Sequence, residues 1–292
     1  MDAVFWQFLL SGLSSGAIYA LIALGFGVVE NSTGIVNFAQ GDFLVLGAFV
    51  AYSLLVSWHV PYFLAFPLVI LVTALVGLLL ERLVLSRARC REILILVFIT
   101  VGASIFLRGV IKEIWGKRPL SLPPLFGEEP LRFLGVVIDP QNVGILAVAL
   151  AAFFCLHLFF RYTLWGKAMR AVAADRETAA LMGIPVPLVV ALSFALAGAL
   201  GGLAGILVAP VTPLSFDSGV VIGLKGFAAA VLGGYGHFGG ALLGGLLLGL
   251  LESLSAYWIS SAYKNVLAFG VLVLVLLVRP EGLLGKRQGE RP

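Results

Sequence analysis

The hydrophobic positions of the chain are grouped in long runs separated by short polar segments. Because the apolar core of a bilayer is about 30 Å thick, a helix needs about 20 apolar residues to cross it. Eight runs approach that length, and a ninth, at 219–233, is shorter and contains Lys225. The eight longer runs lie at 4–29, 36–57, 62–85, 93–111, 142–160, 188–209, 238–260 and 264–279.

This pattern predicts an all-α fold, a polytopic membrane helix bundle with about eight to ten spans. The first run has Asp2 but no Lys or Arg ahead of it, and it is too long for a cleaved signal peptide. It is therefore interpreted as a span. Residues 1–292 are predicted to form a single transmembrane domain.

Composition narrows the function classes further. The 292 residues are 61% hydrophobic and only 12% charged, whereas soluble domains are about 25% charged. This excludes a soluble enzyme, a nucleic-acid-binding protein and a disordered scaffold, and the net charge of +4 is too small to form a basic face. The two cysteines and three histidines are too scattered for a disulfide framework or a metal cluster. No metal site and no cofactor is predicted.

The basic residues predict the orientation of the chain. Twelve of the 19 lie in three stretches that should face the cytoplasm. They are Arg82, Arg87, Arg89 and Arg91; Arg161, Lys167, Arg170 and Arg176; and Arg279, Lys286, Arg287 and Arg291. The longer loop 108–132 is an exception, because parity places it outside although it carries five basic residues. With the N-terminus outside and the C-terminus inside, the short run 219–233 must also cross, which gives nine crossings.

The spans fall into two opposed sets of four around the run 142–160, which suggests an inverted repeat. In each set a Gly-rich first span is followed by a break and then by a second segment that is short or interrupted by polar residues. The breaks are predicted at 30–34 and at 210–219. Such paired interruptions are typical of a transport path. The alternative is that both are ordinary loops followed by helix caps, with Asn31 or Ser32 and Asp217 or Ser218 as the capping residues.

Polar residues that follow the first break are candidates for the path. Asn37, Gln40 and Gly41 would lie within about one helical turn and present one polar face, with Asp42 the deepest charge. They either line the inner mouth of the path or solvate the start of a helix at the membrane surface; both interpretations remain open.

Lys225 and Glu252 are the best candidates for a buried ion pair. Counted from the outer ends of their spans, Lys225 is about 9 Å deep and Glu252 about 12 Å deep at 1.5 Å per residue. An unpaired charge at that depth is costly, so each is expected to have a partner. The pair either holds two helices together or lines the path.

The stretch 161–187 is too polar to span and is helical by composition, with Gly183 and the prolines after it predicted to end the helix. A helix of this kind either docks into a groove on a partner protein or caps the bundle. Glu177, Ala179 and Gly183 resemble the "EAA" loop of ABC importer permeases, the coupling helix that seats in the ATP-binding subunit. The chain departs from that motif at Thr178 and Ser193.

A wider resemblance covers residues 16–285. YALIALGFGVVENSTGIVNFAQGDFLVLGAFVAY, GKAMRAVAADRETAALMGI, GLKGFAAAVLGGYGHFGGALLGGLLLGLLESL and RPEGLLG resemble, in order, the H-type (LivH-type) permease of high-affinity branched-chain amino-acid transporters. The resemblance implies a permease working by alternating access, coupled to its ATPase through Arg170, Asp175, Glu177, Ala179 and Gly183. It also implies a second, M-type permease, two ATP-binding subunits and an external amino-acid-binding protein as partners, in the inner membrane.

The chain has no G-x-x-x-x-G-K-[ST] phosphate loop, so ATP hydrolysis is assigned to partner subunits and the chain itself is not expected to be an enzyme. Two alternatives remain open. One is a permease of the same family for urea or short amides, and the other is a secondary transporter or channel that works alone.

Overall fold

The computed structural model describes residues 3–88, 92–127, 129–133, 136–279 and 281–285. Most of this chain is α-helical, and the strands form one short antiparallel hairpin. The helices are α1 (Ala3–Thr33), α2 (Gln40–Tyr52), α3 (Tyr62–Leu80), α4 (Ile93–Trp115), α5 (Pro140–Tyr162), α6 (Leu164–Ala174), α7 (Arg176–Leu181), α8 (Val186–Val208), α9 (Ser218–Gly233), α10 (Phe238–Trp258) and α11 (Lys264–Val278). The strands are β1 (Leu131–Phe133) and β2 (Val136–Ile138), and the π-helical segments Ser53–Ser57 and Glu81–Leu85 extend α2 and α3.

The predicted bundle of about eight to ten spans is confirmed within the described residues. Eight helical segments are long and apolar enough to cross a membrane, and α9 is a shorter apolar helix. Large apolar side chains of α3, α4, α5 and α11 are exposed on the outside of the bundle, whereas α1, α2 and α8 form its interior. The chain is a polytopic membrane helix bundle.

Contacts between connecting segments define the two ends of the bundle. At one end Asn31 Nδ2 donates a hydrogen bond to the Gly236 carbonyl over 2.8 Å, and Phe160 packs on Phe238. This end also carries α6 and α7, and we call it the α6–α7 end. At the opposite end Leu120 pairs with Leu214, and Gln7 Nε2 donates to the Val137 carbonyl over 3.3 Å.

The start of α1 and the last described segment, 281–285, lie at opposite ends of the bundle. Leu284 N–H donates to the Gly233 carbonyl at the α6–α7 end. The predicted odd number of crossings requires these two segments to lie at opposite ends. Which end faces the cytoplasm stays a prediction. Five of the basic residues used for that prediction, Arg89, Arg91, Lys286, Arg287 and Arg291, lie outside the described residues.

The first predicted break was misplaced. Helix α1 continues through Asn31 and Ser32 to Thr33, so neither residue caps the following helix. The break lies instead at 34–39, and α2 begins at Gln40. Gln40 Nε2 donates to the carbonyl of Ala197, the midpoint of α8, over 3.0 Å. Helix α2 therefore begins halfway through the bundle.

The second break precedes a helix that also begins in the interior. Gly41 and Gly219, each the second residue of its helix, touch so closely that a Cβ on either would collide with backbone atoms of the other. Helices α2 and α9 thus begin at the same depth and run toward opposite ends. Neither capping candidate acts as predicted: the Asp217 side chain makes no cap hydrogen bond to α9 and instead accepts one from Ser215, and Ser218 is already the first residue of α9.

In an inverted repeat, each contact between the two halves occurs a second time with the roles of the halves exchanged. The helix packing shows this pattern. Helix α1 packs along α10 as α8 packs along α3, and α9 packs along α1 as α2 packs along α8. Glycine makes the equivalent close approaches, Gly16 against Gly245 and Gly198 against Thr73, as expected for small residues at membrane helix interfaces. The halves differ at their last helices. Helix α11 packs on α9 and α10, whereas an apolar groove of about 680 Å³ separates α4 from α3.

Candidate functional site

The stretch predicted as one coupling helix forms two helices. Thr163 Oγ1 accepts a hydrogen bond from Gly166 N–H at the start of α6. Asp175 then adopts an extended conformation, and its carboxylate accepts hydrogen bonds from the N–H groups of Glu177 (2.9 Å) and Thr178 (3.2 Å). Asp175 is thus an N-cap that ends α6 and begins α7. Hydrogen bonds from Thr178 hold the pKa of the exposed Asp175 carboxyl below its ordinary value.

Gly183 ends α7 through its backbone conformation. Its φ is +81°, and nothing lies within 4 Å of the position a Cβ would occupy. Ile184 N–H donates to the Ala179 carbonyl over 3.0 Å and closes the last turn. Glycine is needed here for the left-handed turn and not for space.

Helices α6 and α7 present two different faces. Met169, Val172 and Ala179 are buried against the bundle. The other face is exposed and carries the remaining predicted coupling residues, together with an apolar tip where Leu181 is 88% and Met182 78% exposed. Those remaining residues are Arg170, Asp175, Glu177 and Gly183. An exposed apolar tip between polar residues has the composition of a docking surface.

The predicted path residues lie deep in the bundle and not at a mouth. Asn37, Gln40 and Asp42 are at most 2% exposed. Asn37 precedes α2, and its Oδ1 accepts from Ala39 N–H over 3.2 Å. The predicted helical face shared by Asn37, Gln40 and Gly41 is therefore wrong, and so is the alternative that these residues are solvated.

Each of these three side chains keeps an unsatisfied polar atom. Within the described chain, Asn37 Nδ2, Gln40 Oε1 and Asp42 Oδ1 are buried and have no hydrogen-bond partner. Buried polar atoms are nearly always hydrogen-bonded, so three without a hydrogen bond beside one helix junction are unusual, even though Asp42 Oδ1 lies in ion-pair range of Arg108. We call Asn37, Gln40, Asp42 and Arg108 the central polar site.

Arg108 is the functional candidate that sequence reasoning missed. Its Nε lies 3.6 Å from Asp42 Oδ1, which is ion-pair range but longer than a hydrogen bond. Arg108 was predicted to belong to the loop 108–132, whereas it lies inside α4 in the structure. One basic residue of that exceptional loop therefore lies within the bundle, in ion-pair range of Asp42.

Arg108 lines a cavity of about 140 Å³ between α4, α9 and the segment before α2. Apart from Arg108 and Ser104 the walls are apolar or glycine backbone. These wall residues are Phe26, Phe38, Val101, Gly219, Val220, Gly223, Leu224 and Phe227.

Lys225 and Glu252 are brought together as predicted, with Nζ 2.8 Å from Oε1 and both residues 7% exposed. The hydroxyl of Tyr19 donates to Glu252 Oε2 over 2.8 Å. These three residues, the buried triad, join α9, α10 and α1. Tyr19 was not predicted, because one tyrosine in an apolar span gives no sign of which way it faces. The triad does not line the cavity.

Known proteins resemble the chain over nearly its whole length. A family model described as "branched-chain amino acid transport system / permease component" matches residues 8–276. The chain is 34% identical to the high-affinity branched-chain amino acid transport system permease protein LivH of Escherichia coli K12, covering 98% of this chain and 97% of the relative. It is 37% identical to the corresponding protein BraD of Pseudomonas aeruginosa, with the same coverage.

Two more distant matches add information on subunits and fold. The LivM permease protein of Salmonella typhimurium is 29% identical and covers 97% of this chain, which spans 72% of that relative. Among solved structures, PsaBC from Streptococcus pneumoniae in complex with Fab aligns with a TM-score of 0.55 at 13% identity. That alignment covers 96% of this chain and 97% of that one, and it shows a shared fold alone.

Proposed function

The chain belongs to the branched-chain amino acid transport permease family, and on that premise we propose that it is the membrane permease subunit of an ATP-driven (ABC) importer. It moves leucine, isoleucine and valine into the cell by alternating access. One observation carries the proposal, namely the end-to-end similarity to relatives named for high-affinity transport of these amino acids. Two helices broken at the same depth support it, because such breaks are typical of transport sites.

We propose four kinds of partner: a second, M-type permease, two ATP-binding subunits, an extracytoplasmic amino-acid-binding protein and the lipid of the inner membrane. Similarity to a LivM protein supports the second permease. The lack of a phosphate loop supports separate ATPase subunits. The N-terminus is assigned to the outside and the α6–α7 end to the cytoplasm, where the ATPase is available.

Helices α6 and α7 form the coupling element of this proposal. The ATPase contacts their exposed face, including Arg170, Glu177 and the apolar tip, while Asp175, Ala179 and Gly183 fix the turns that hold that face in place. Buried Met169 and Ala179 tie the element to the bundle. The Arg176 charge also interacts with Glu81, at the end of α3. Movement of α7 therefore reaches both α8, which follows it in the chain, and α3.

The two buried polar clusters take different roles. Both oxygens of the Glu252 carboxylate accept a hydrogen bond, and the triad is enclosed by one chain. Lys225 and Glu252 therefore hold the helices of the bundle together. The central polar site keeps buried polar atoms without hydrogen bonds, and its Arg108 lines a cavity. Asn37, Gln40 and Asp42 therefore belong to the path.

Reconstitution tests the whole proposal. The chain is incorporated into proteoliposomes with its M-type partner and ATPase subunits, and uptake of leucine and of urea is measured with the matching binding protein. ATP-dependent leucine uptake is expected. Uptake of urea but not leucine would select the urea and amide alternative. Leucine uptake by the chain alone, without ATP, would select the stand-alone transporter.

A further inference from the structure

The cavity beside the central polar site has the chemistry of an amino-acid pocket. Its walls combine one guanidinium, from Arg108, with the aromatic rings of Phe26, Phe38 and Phe227 and with aliphatic groups. The Phe227 ring packs against the other two, with centroids 5.8 Å from Phe26 and 6.3 Å from Phe38. A charged group facing an apolar wall suits a ligand with a charged head and an apolar side chain.

Arg108 is incompletely bonded in this position. The side chain is 26% exposed, and its contacts with Asp42 and Ser104 are all long, at 3.4–3.6 Å. A guanidinium has five N–H donors and prefers two parallel bonds to a carboxylate at shorter range. Arg108 therefore has N–H donors left to bind a carboxylate that enters from the cavity.

Asp42 supplies a complementary charge behind Arg108. It is 2% exposed, and within the described residues its Oδ1 accepts no hydrogen bond although the Arg108 guanidinium is near. An acid and a base that are paired this loosely can each turn to one end of a zwitterion without leaving an uncompensated charge. The first turn of α9 borders the same cavity and adds positive potential there.

We infer that this cavity is a translocation subsite for a zwitterionic amino acid with an apolar side chain, in which Arg108 binds the α-carboxylate. Asp42 does not line the cavity in this conformation, so it turns toward the cavity to face the α-ammonium group, while the three phenylalanine rings contact the side chain. The inference rests on the proposed function and names the residue that reads the charged head of the substrate inside the membrane.

The test uses the complete transporter in proteoliposomes with saturating leucine-loaded binding protein. Leucine moved per ATP hydrolysed is compared among wild type, R108Q, R108K, the double variant D42N/R108Q and the control R118Q, which removes an exposed arginine of a connecting loop. R108Q is expected to lower leucine moved per ATP about tenfold or more, as for loss of a charge-assisted bidentate contact. R108K restores charge but not the planar fork and recovers part of the loss, while R118Q matches wild type.

The double variant separates substrate binding from a structural ion pair. D42N/R108Q has no unpaired charge, so the complex is expected to assemble while leucine moved per ATP stays low. Restoration of coupled uptake in D42N/R108Q would show that the two residues only neutralise each other and would overturn the inference. Normal coupling in R108Q would overturn it as well. A wild-type complex that takes up no leucine with ATP would instead refute the proposed function, so the two failures are distinguishable.

Discussion

Glu252 accepts hydrogen bonds from donors on two other helices, Lys225 Nζ and the Tyr19 hydroxyl. Removing one charge of such a pair leaves the other buried and uncompensated, which costs about 3–5 kcal/mol, whereas removing both leaves no orphan. We therefore predict that K225A and E252A each lower the thermal stability of the purified transporter strongly. The double variant is expected to lose less than the sum of the two. Strictly additive losses would show that the residues do not act as a pair.

Tyr19→Phe measures the third member of the triad. It removes one hydrogen bond to a carboxylate and is expected to cost about 1–3 kcal/mol of stability. Tyr257→Phe is the matched control on α10, because Tyr257 packs its ring against Phe5 and Phe8 and keeps that packing as phenylalanine. Equal effects of the two changes in thermal unfolding would contradict the role of the Tyr19 hydroxyl.

Sequence reasoning found the buried ion pair of Lys225 and Glu252 and missed the contact between Asp42 and the partly exposed Arg108 for a physical reason. Lys225 and Glu252 are each the isolated charge of an apolar run, so depth counting matched them. Arg108 lies near the end of a run and is followed by more basic residues, which made it look like part of a loop. Helix α4 continues to Trp115, and only that extension places Arg108 beside Asp42.

At the scale of elements, the contact between the first turns of α2 and α9 is the tightest constraint. A Cβ on Gly41 would collide with the Gly219 backbone, whereas a Cβ on Gly109 of α4 would meet no atom within 4 Å. Gly41→Ala should therefore lower the stability by about 1–3 kcal/mol through overpacking. Gly109→Ala, the control in a helix interior, should be neutral or slightly stabilising. Thermal unfolding of both variants checks this, and a tolerated Gly41→Ala would mean that the helix starts are not in contact.

The break before α2 was misplaced because polar residues at 30–34 suggested a loop. In the structure Ser32 and Thr33 donate their hydroxyls to carbonyls of the preceding turn, and Asn31 donates to Gly236. Such bonds let Ser and Thr stay in a membrane helix. The composition of a segment does not reveal them. Nor can it reveal that Asp175 would divide the coupling stretch into two helices.

The turn at the end of α7 allows a test of whether the backbone conformation at Gly183 is needed for docking of the ATPase subunit. Gly183→Val strains the +81° turn and should misplace the apolar tip, so less ATPase subunit is expected to co-purify with the permease. Gly183→Asn is the matched control, because Asn tolerates the left-handed conformation far better than a β-branched residue. Co-purification that is unaffected by Gly183→Val would mean that α7 is not the docking element.

At the scale of the whole molecule, the interchange of helix contacts explains how one chain can alternate. Each half places a helix that begins at mid-depth against the first long helix of the other half, and the two starts meet at Gly41 and Gly219. In the proposed alternating access, rocking of one half against the other changes the surroundings of that meeting point. The sequence indicated opposed halves, because the order of spans and breaks is visible in it. The contact between the first turns of α2 and α9 depends on helix packing, so the sequence did not indicate it.

Orientation is the remaining property of the whole molecule, and it can be tested by labelling. On a background with Cys90 and Cys155 replaced, Lys117→Cys lies at the end opposite α6–α7 and Arg87→Cys at the α6–α7 end; both positions are exposed, and each change removes one basic residue. If the α6–α7 end faces the cytoplasm, a membrane-impermeant maleimide labels K117C in intact cells. It should reach R87C only after the cells are opened. The opposite pattern would invert the topology, because the short basic loops would then lie outside. Helices α6 and α7 would then be out of reach of a cytoplasmic ATPase, so this result would also refute their coupling role.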